Sequence, residues 1–258
     1  MPERRGAGAA FTLIELLVVI AVIALLIGLI LPGLRMAREA GRQAKCLSNL
    51  RQVGISSNYY AEEKRDFIPR EGYGNYGRAG WAIDLRPYID DKIAANDTGD
   101  PRDDYNDQFV DALYYRCPSR KPDLHNLHYV VNAVPFLAPG DPDERAGRDA
   151  DIRRGPTERY RIMFPAKTFY LCEFADDPSG NRGRSYYRPG ATNVDIAAWY
   201  DVWDENDVIG GENLLRISPK RHTRGADVAF MDGHASLVAR EVLQDLNNWD
   251  DGIYPPRP

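Results

Sequence analysis

The segment FTLIELLVVIAVIALLIGLILPGL, Phe11 to Leu34, constrains this chain more than any other. Nearly every residue from Phe11 to Leu31 is apolar, and a run of that length meets the ~20 residues a helix needs to cross the hydrocarbon of a bilayer. Its one charge is Glu15. A carboxylate inside such a helix costs on the order of 2–4 kcal/mol at the centre and less near the interface, so it persists where it has a partner or a task.

The residues ahead of the run, MPERRGAGAA, are short, basic through Arg4 and Arg5, and end in small side chains. Three readings compete. A cleaved secretory signal has a shorter apolar region and no acid at its head. A plain anchor fits the length and leaves Glu15 unexplained. A cut between Ala10 and Phe11 places a new α-amine four residues before Glu15, and a lone amine and a lone acid in one apolar slab attract strongly. Within one helix they lie about one turn apart. Between helices staggered along their axes, Glu15 of one subunit meets the Phe11 amine of the next.

The stretch AGAAFTLIELLVVIAVIALLIGLILPGL resembles the signal and N-terminal helix of type IV pilins and type II secretion pseudopilins. The resemblance implies removal of the leader by a prepilin peptidase, N-methylation of Phe11, and an assembly role for Glu15. It also matches Pro32 to a helix-kinking proline. The sequence departs at Ala10, where the family usually has Gly; cutting after Gly8 instead would move Glu15 out of place. Arg35, Arg38, Arg42 and Lys45 weaken a simple positive-inside count. The resemblance places the leader in the cytoplasm, a single pass in the inner membrane, and the body in the periplasm.

The chain has 258 residues with 28% charged side chains, 22 Gly and 18 Pro, which points to a loop-rich body beyond the apolar run. A net charge of −5 without a basic stripe argues against a nucleic-acid partner. Three cysteines allow one internal disulfide, which an extracytoplasmic body permits. Cys46 with Cys117 is the expected pair, and free buried thiols are the alternative.

From Arg35 to about residue 65 the sequence has no proline, and Ala40, Ala44, Leu47, Leu50, Gly54 and Ala61 recur at helical spacing. The anchor, residues 11–34, therefore continues as an amphipathic stalk over 35–65 and stops before FIPREGYGNYG. Together they make about 50 residues and ~75 Å of helix. Residues 66–258 are expected to form an α+β head with an antiparallel sheet against the stalk. ALYYRCP from Ala112, HYVVNAV from His128, KTFYLCEF from Lys167 and ADVAFMDGHASLVAR from Ala226 are the strand candidates. A type I′ turn at Asp232 and Gly233 would pair Phe230 with Ala235 and Val228 with Leu237, on one apolar face with Ala226 and Ala239. Val242, Leu243 and Leu246 suggest a short closing helix.

Asn49 to Pro69 is similar to the matching stretch of many bacterial prepilin-like proteins. RHTRGADVAFMDGHA carries His222, nine intervening residues, then Asp232 and Gly233. That resembles the C-terminal signature of a prepilin-like, processing-associated family, as do YYRCPS around Cys117 and HYVVNA.

His222, Asp232 and His234 are suitable metal ligands, but Asp-Gly is also what a tight hairpin requires. Two acidic loops, Asp90 to Gln108 and Tyr200 to Asn213, offer oxygen ligands of the calcium type without the EF-hand spacing. Asp201, Asp204, Asp207 and Glu212 are the candidates in the second; acidity for solubility is the plainer account. Trp199, Tyr200 and Trp203 form either a recognition edge or packing for that loop. No nucleophile with a neighbouring base, phosphate loop or paired zinc spacing appears, so neither an enzyme nor a cofactor is expected. The reading is a filament subunit whose partners are a prepilin peptidase, the inner membrane and other pilin-like subunits. The rival is a membrane-tethered binding or metal-dependent domain that uses the same export signal without polymerising.

Overall fold

Helix α1 spans Leu13–Glu63 and continues through Pro32. A computed structural model describes residues 12–70, 80–90, 109–120, 126–134, 157–175, 201–202, 206–210 and 215–249. The chain divides into two units, Met1–Gly41 and Arg42–Pro258.

In the first unit the apolar side chains of α1 are exposed on every side, from Leu13 at 86% to Leu31 at 45%. The helix is long and apolar enough to cross a membrane. Its start is a capping box, Thr12 to Glu15. Thr12 N and Oγ1 donate to Glu15 Oε2 at 2.9 and 2.8 Å, and Glu15 N donates to Thr12 Oγ1 at 3.3 Å. The Thr-x-x-Glu spacing was there to be read in the sequence, and it gives Glu15 a local role beside the one its charge suggests.

In the second unit α1 buries Cys46, Asn49, Leu50, Val53, Gly54, Ser56, Ser57 and Ala61. Leu50, Gly54 and Ala61 belong to the expected stripe; Ala40 and Ala44 are exposed, because the buried face follows Cys46 and Val53 instead. Ser56 and Ser57 hydroxyls donate back to Val53 O and Gly54 O, both at 2.7 Å, so they are buried without needing outside partners. The helix ends where Arg65 and Asp66 take positive φ of 54° and 68°, several residues before Pro69. Arg159 Nε donates to Asp66 Oδ1 at 2.8 Å and fixes this exit.

The sheet has the order β5-β2-β4-β6-β7. β2 (Tyr129–Asn132), β4 (Phe169–Glu173), β6 (Ala226–Phe230) and β7 (Ala235–Val238) are antiparallel, and β5 (Asp201–Val202) adds parallel to β2 at the edge. β1 (Phe67–Ile68) and β3 (Thr157–Glu158) form a separate antiparallel pair. Every residue of β2, β4 and β6 is buried, as expected of strands covered on both faces. Short helices α2 (Gly80–Leu85), α3 (Pro87–Asp90), α4 (Asn206–Ile209) and α5 (Arg240–Leu243) complete the described residues with three 3-10 turns. The α+β class with an antiparallel sheet is thus as the sequence predicts.

Two local expectations are corrected. ALYYRCP is not a strand: Leu113–Tyr115 is a 3-10 turn, with Tyr115 Oη donating to Ala82 O at 2.6 Å. The hairpin loop is not a two-residue type I′ turn. Phe230 N donates to His234 O, leaving Met231, Asp232 and Gly233 in the loop, with φ positive only at Gly233 (+89°). The register moves by one residue: Ala226 pairs with Val238, Asp227 with Leu237, Val228 with Ser236 and Ala229 with Ala235. The proposed single apolar face is therefore split, since a one-residue slip moves one strand's side chains to the other face.

On α2, burial raises the Asp84 carboxyl to about 6, against a smaller downward pull from Lys64. A raised carboxyl binds its proton more tightly when folded, so this contribution is full at low pH and is lost as pH rises through about 6. Asp84→Asn should therefore gain about 1–2 kcal/mol over the parent at neutral pH and nothing near pH ~4, read as urea midpoints across the range in detergent. A stability gap independent of pH would refute the burial account.

Candidate functional site

Cross-strand pairing builds a charged line across the middle of the sheet. Tyr129 of β2 pairs with Glu173 of β4, and Cys172 pairs with Val228. Glu173 thus stands beside Asp227 of β6. Directly opposed residues share a face, so Tyr129, Glu173 and Asp227 point the same way. Ala229, two residues along from Asp227, meets Gly54, which marks this as the face that α1 covers.

His222 enters the line from the segment before β6. Its backbone closes a tight bridge with Gly225: His222 N donates to Gly225 O at 2.9 Å, and Gly225 N to His222 O at 3.1 Å. A Cβ at Gly225 would lie 1.9 Å from Val238 O, so no side chain fits there. The imidazole Nε2 then lies 3.2 Å from Glu173 Oε1, 3.3 Å from Asp227 Oδ2 and 4.0 Å from Cys117 Sγ. Arg221 Nε is 3.9 Å from Glu173 Oε1.

Above the line, Cys46 of α1 and Cys117 form a disulfide, while Cys172 is a free buried thiol. Asn49, one turn along α1, donates through Nδ2 to Leu113 O at 3.2 Å and Arg116 O at 2.8 Å. His128 Nδ1 accepts from Cys117 N at 3.0 Å. The 113–117 turn is therefore tied covalently and by hydrogen bonds to α1.

Burial works against a charge on His222, but the Asp227 and Glu173 carboxylates outweigh it and hold the imidazolium up to about 10. Burial pushes the Glu173 carboxyl up, while His222 and Arg221 pull it down. Two acidic side chains, Glu173 and Asp227, thus face one imidazole and one guanidinium. Charges buried in such balance add little net stability; removing one partner strands the others at a cost of about 3–5 kcal/mol.

The signature of His222, nine residues, then Asp232 and Gly233 now has a physical reading. β6 is the rigid spacer between two attachments to α1. At one end His222 joins the group beside Cys46. At the other, Asn58 Nδ2 of α1 donates to Asp232 O at 3.0 Å, and Gly233 lies so close that a Cβ would be 2.5 Å from Asn58 Nδ2. Asp232 Oδ1 also accepts from His234 N at 3.0 Å, closing the loop.

His222, Asp232 and His234 do not converge. His234 is exposed, stacked on Phe230 with ring centroids 4.0 Å apart, and its Nδ1 is 2.5 Å from Asp232 Oδ1. Of the calcium candidates, Asp207 is buried with Oδ1 3.0 Å from Arg216 Nε, and Asp201 begins β5. Asp204 and Glu212 lie outside the described residues, as do Ala10, Phe11, Trp199, Tyr200, Trp203 and the Asp91 to Gln108 part of the first acidic loop. Sequence reasoning missed Glu173, Asp227, Arg221, Asn49 and His128. The available signal was Glu173, an acid inside the apolar run FYLCEF.

The disulfide closes a separation of 71 residues. A loop of that size removes about 4 kcal/mol of chain entropy from the unfolded state. The Cys46→Ala, Cys117→Ala double variant should lose that amount in denaturant midpoint at fixed m-value, and a loss below ~1 kcal/mol would contradict it.

No curated protein and no solved structure matches the chain. A family described as a protein of unknown function (DUF1559) matches residues 35–192, from the start of the stalk through β4. That is more than half of the sequence, and the chain belongs to this DUF1559 family.

Proposed function

We propose that the protein is a structural subunit of a pilus-like filament of the type II secretion or type IV pilus kind. A prepilin peptidase cuts it between Ala10 and Phe11, the Phe11 amine is methylated, and the head stands in the periplasm. The observation that carries this reading is the division of labour along α1. Its first part exposes an apolar surface on every side, and its second part is built into a folded head. A surface of the first kind is stable only in lipid or against other apolar helices.

Three further features support the reading. Glu15 is the one acid in the apolar part of α1, held at the helix start by Thr12, where a new Phe11 amine would lie close in sequence. The Cys46–Cys117 bridge suits an oxidising compartment. The buried polar group is spent on attaching α1 to the sheet, which is the work of a scaffold. In the filament Glu15 would pair with the amine of a neighbouring subunit and set the stagger, and the apolar parts of α1 would form the core.

N-terminal sequencing and intact mass of the protein from native membranes should give a chain that starts at Phe11. A start at Met1, or beyond Leu31, would defeat the proposal. Glu15→Leu should leave the head folded and membrane-bound while abolishing the ladder of cross-linked multimers seen with the parent. An unchanged ladder would favour a tethered domain that does not polymerise.

A further inference from the structure

The buried group beside the disulfide is also a set of metal ligands. One atom each from Cys46, Cys117, Glu173 and His222 lies within 4.8 Å of all the others, and all four residues are buried. Two sulfurs, an imidazole nitrogen and a carboxylate oxygen are a zinc-type donor set. Around a tetrahedral ion with N and O at ~2.0 Å, the N-to-O edge is about 3.3 Å. His222 Nε2 already stands 3.2 Å from Glu173 Oε1 and 3.3 Å from Asp227 Oδ2. With sulfur at ~2.3 Å, the S-to-N edge is about 3.5 Å, against 4.0 Å between Cys117 Sγ and His222 Nε2. Only the two sulfurs are misplaced for a metal, because they are bonded to each other.

A second observation points into the same place. Asp227 is fully buried, and the contact its carboxylate makes is with His222, whose Nε2 lies 3.3 Å from Oδ2, while Oδ1 is left without a hydrogen-bond partner. A buried carboxylate with one of its oxygens unmet is costly, and a cation beside Nε2 would add to the single contact it has.

Every protein disulfide starts as two thiols, and this chain passes through its thiol form between synthesis and oxidation. We infer that in the thiol form Cys46, Cys117, His222 and Glu173 bind one Zn²⁺, so that a metal cross-link ties α1 to the sheet until the disulfide replaces it. On binding, the two thiols release their protons and the ion takes the two thiolates, the neutral imidazole and the carboxylate. Oxidation removes two electrons from the thiolates and transfers them to a disulfide-bearing oxidant, which takes up two protons from solvent and leaves as a dithiol; the S–S bond forms and the ion is freed. Asp227 holds the vacated imidazole. The inference does not depend on whether the chain polymerises.

The test uses the full chain in detergent. A water-soluble phosphine reduces the bridge, taking the oxygen of one water as phosphine oxide while that water's hydrogens go to the two sulfurs. After anaerobic removal of reagent, Co²⁺ is titrated as a spectroscopic stand-in for Zn²⁺. The reduced chain should develop thiolate-to-cobalt charge-transfer and tetrahedral d–d bands that saturate at one ion per chain and are displaced by Zn²⁺. The oxidised chain should show neither. His222→Gln and Glu173→Gln, which keep both thiols, should each weaken binding by about tenfold or more. Zn²⁺ should raise the unfolding temperature of the reduced chain and leave that of the oxidised chain unchanged. Absence of the thiolate band, a band that persists at full affinity in both variants, or a reduced chain that Zn²⁺ neither stabilises nor refolds would each overturn the inference.

Discussion

Helix α1 approaches the sheet so closely at Gly54 that an added Cβ would lie 3.1 Å from Gly233 O and 3.3 Å from Ala229 Cβ. That distance dictates the residues around it. Ala229 stands opposite because nothing larger fits, Ser56 and Ser57 satisfy their hydroxyls within the helix, and Gly233 leaves room for Asn58. Close packing of this kind tolerates little change in volume. It is held at two points, the disulfide with its charged group at one end of β6 and the Asn58 contact with the hairpin loop at the other. The ion pairs add little net attraction, yet each depends on all the others being present, so they reward one seating of the helix over its neighbours.

Much of this was legible. The unbroken apolar run, the absence of proline after Arg35 and the small residues along the stalk anticipate a helix of about 50 residues, and α1 has 51. Three of the four proposed strands exist, because an apolar run bounded by polar loops has few other uses. The hairpin register was not legible. Asp-Gly fits both a two-residue and a three-residue loop, and the choice is made by Gly233 meeting α1, a contact far away in sequence. The charged line was missed for a related reason. Asp227 alternates with apolar neighbours and reads as solvent-facing, whereas both faces of β6 are covered. Glu173 breaks an apolar run just as Glu15 does, and the reasoning applied to Glu15 would have found it.

The two acids show how one signal takes two meanings. Each is a carboxylate among apolar residues. For Glu173 the cations are in the same chain, His222 and Arg221, and the result is a fold. For Glu15 the partners among the described residues are the hydroxyl and amide of Thr12, neither of them charged. Under the proposed filament reading, the charge that meets Glu15 comes from a neighbouring subunit.

The sheet order also sets a schedule. β4 lies between β2 and β6, and β6, which carries the line's last carboxylate and lies between the two attachments to α1, comes after residue 225 of 258. The apolar part of α1 is therefore made first and must wait for nearly the whole chain before the sheet beneath its second part can close. Pairings so distant in sequence form slowly. Throughout that interval the stalk has its buried face bare, and the strand that will cover it is still on the ribosome or newly released. The helix that bears the apolar surface is thus complete long before the strands that pack beneath its second part, and the hairpin of β6 and β7 decides when the head is finished.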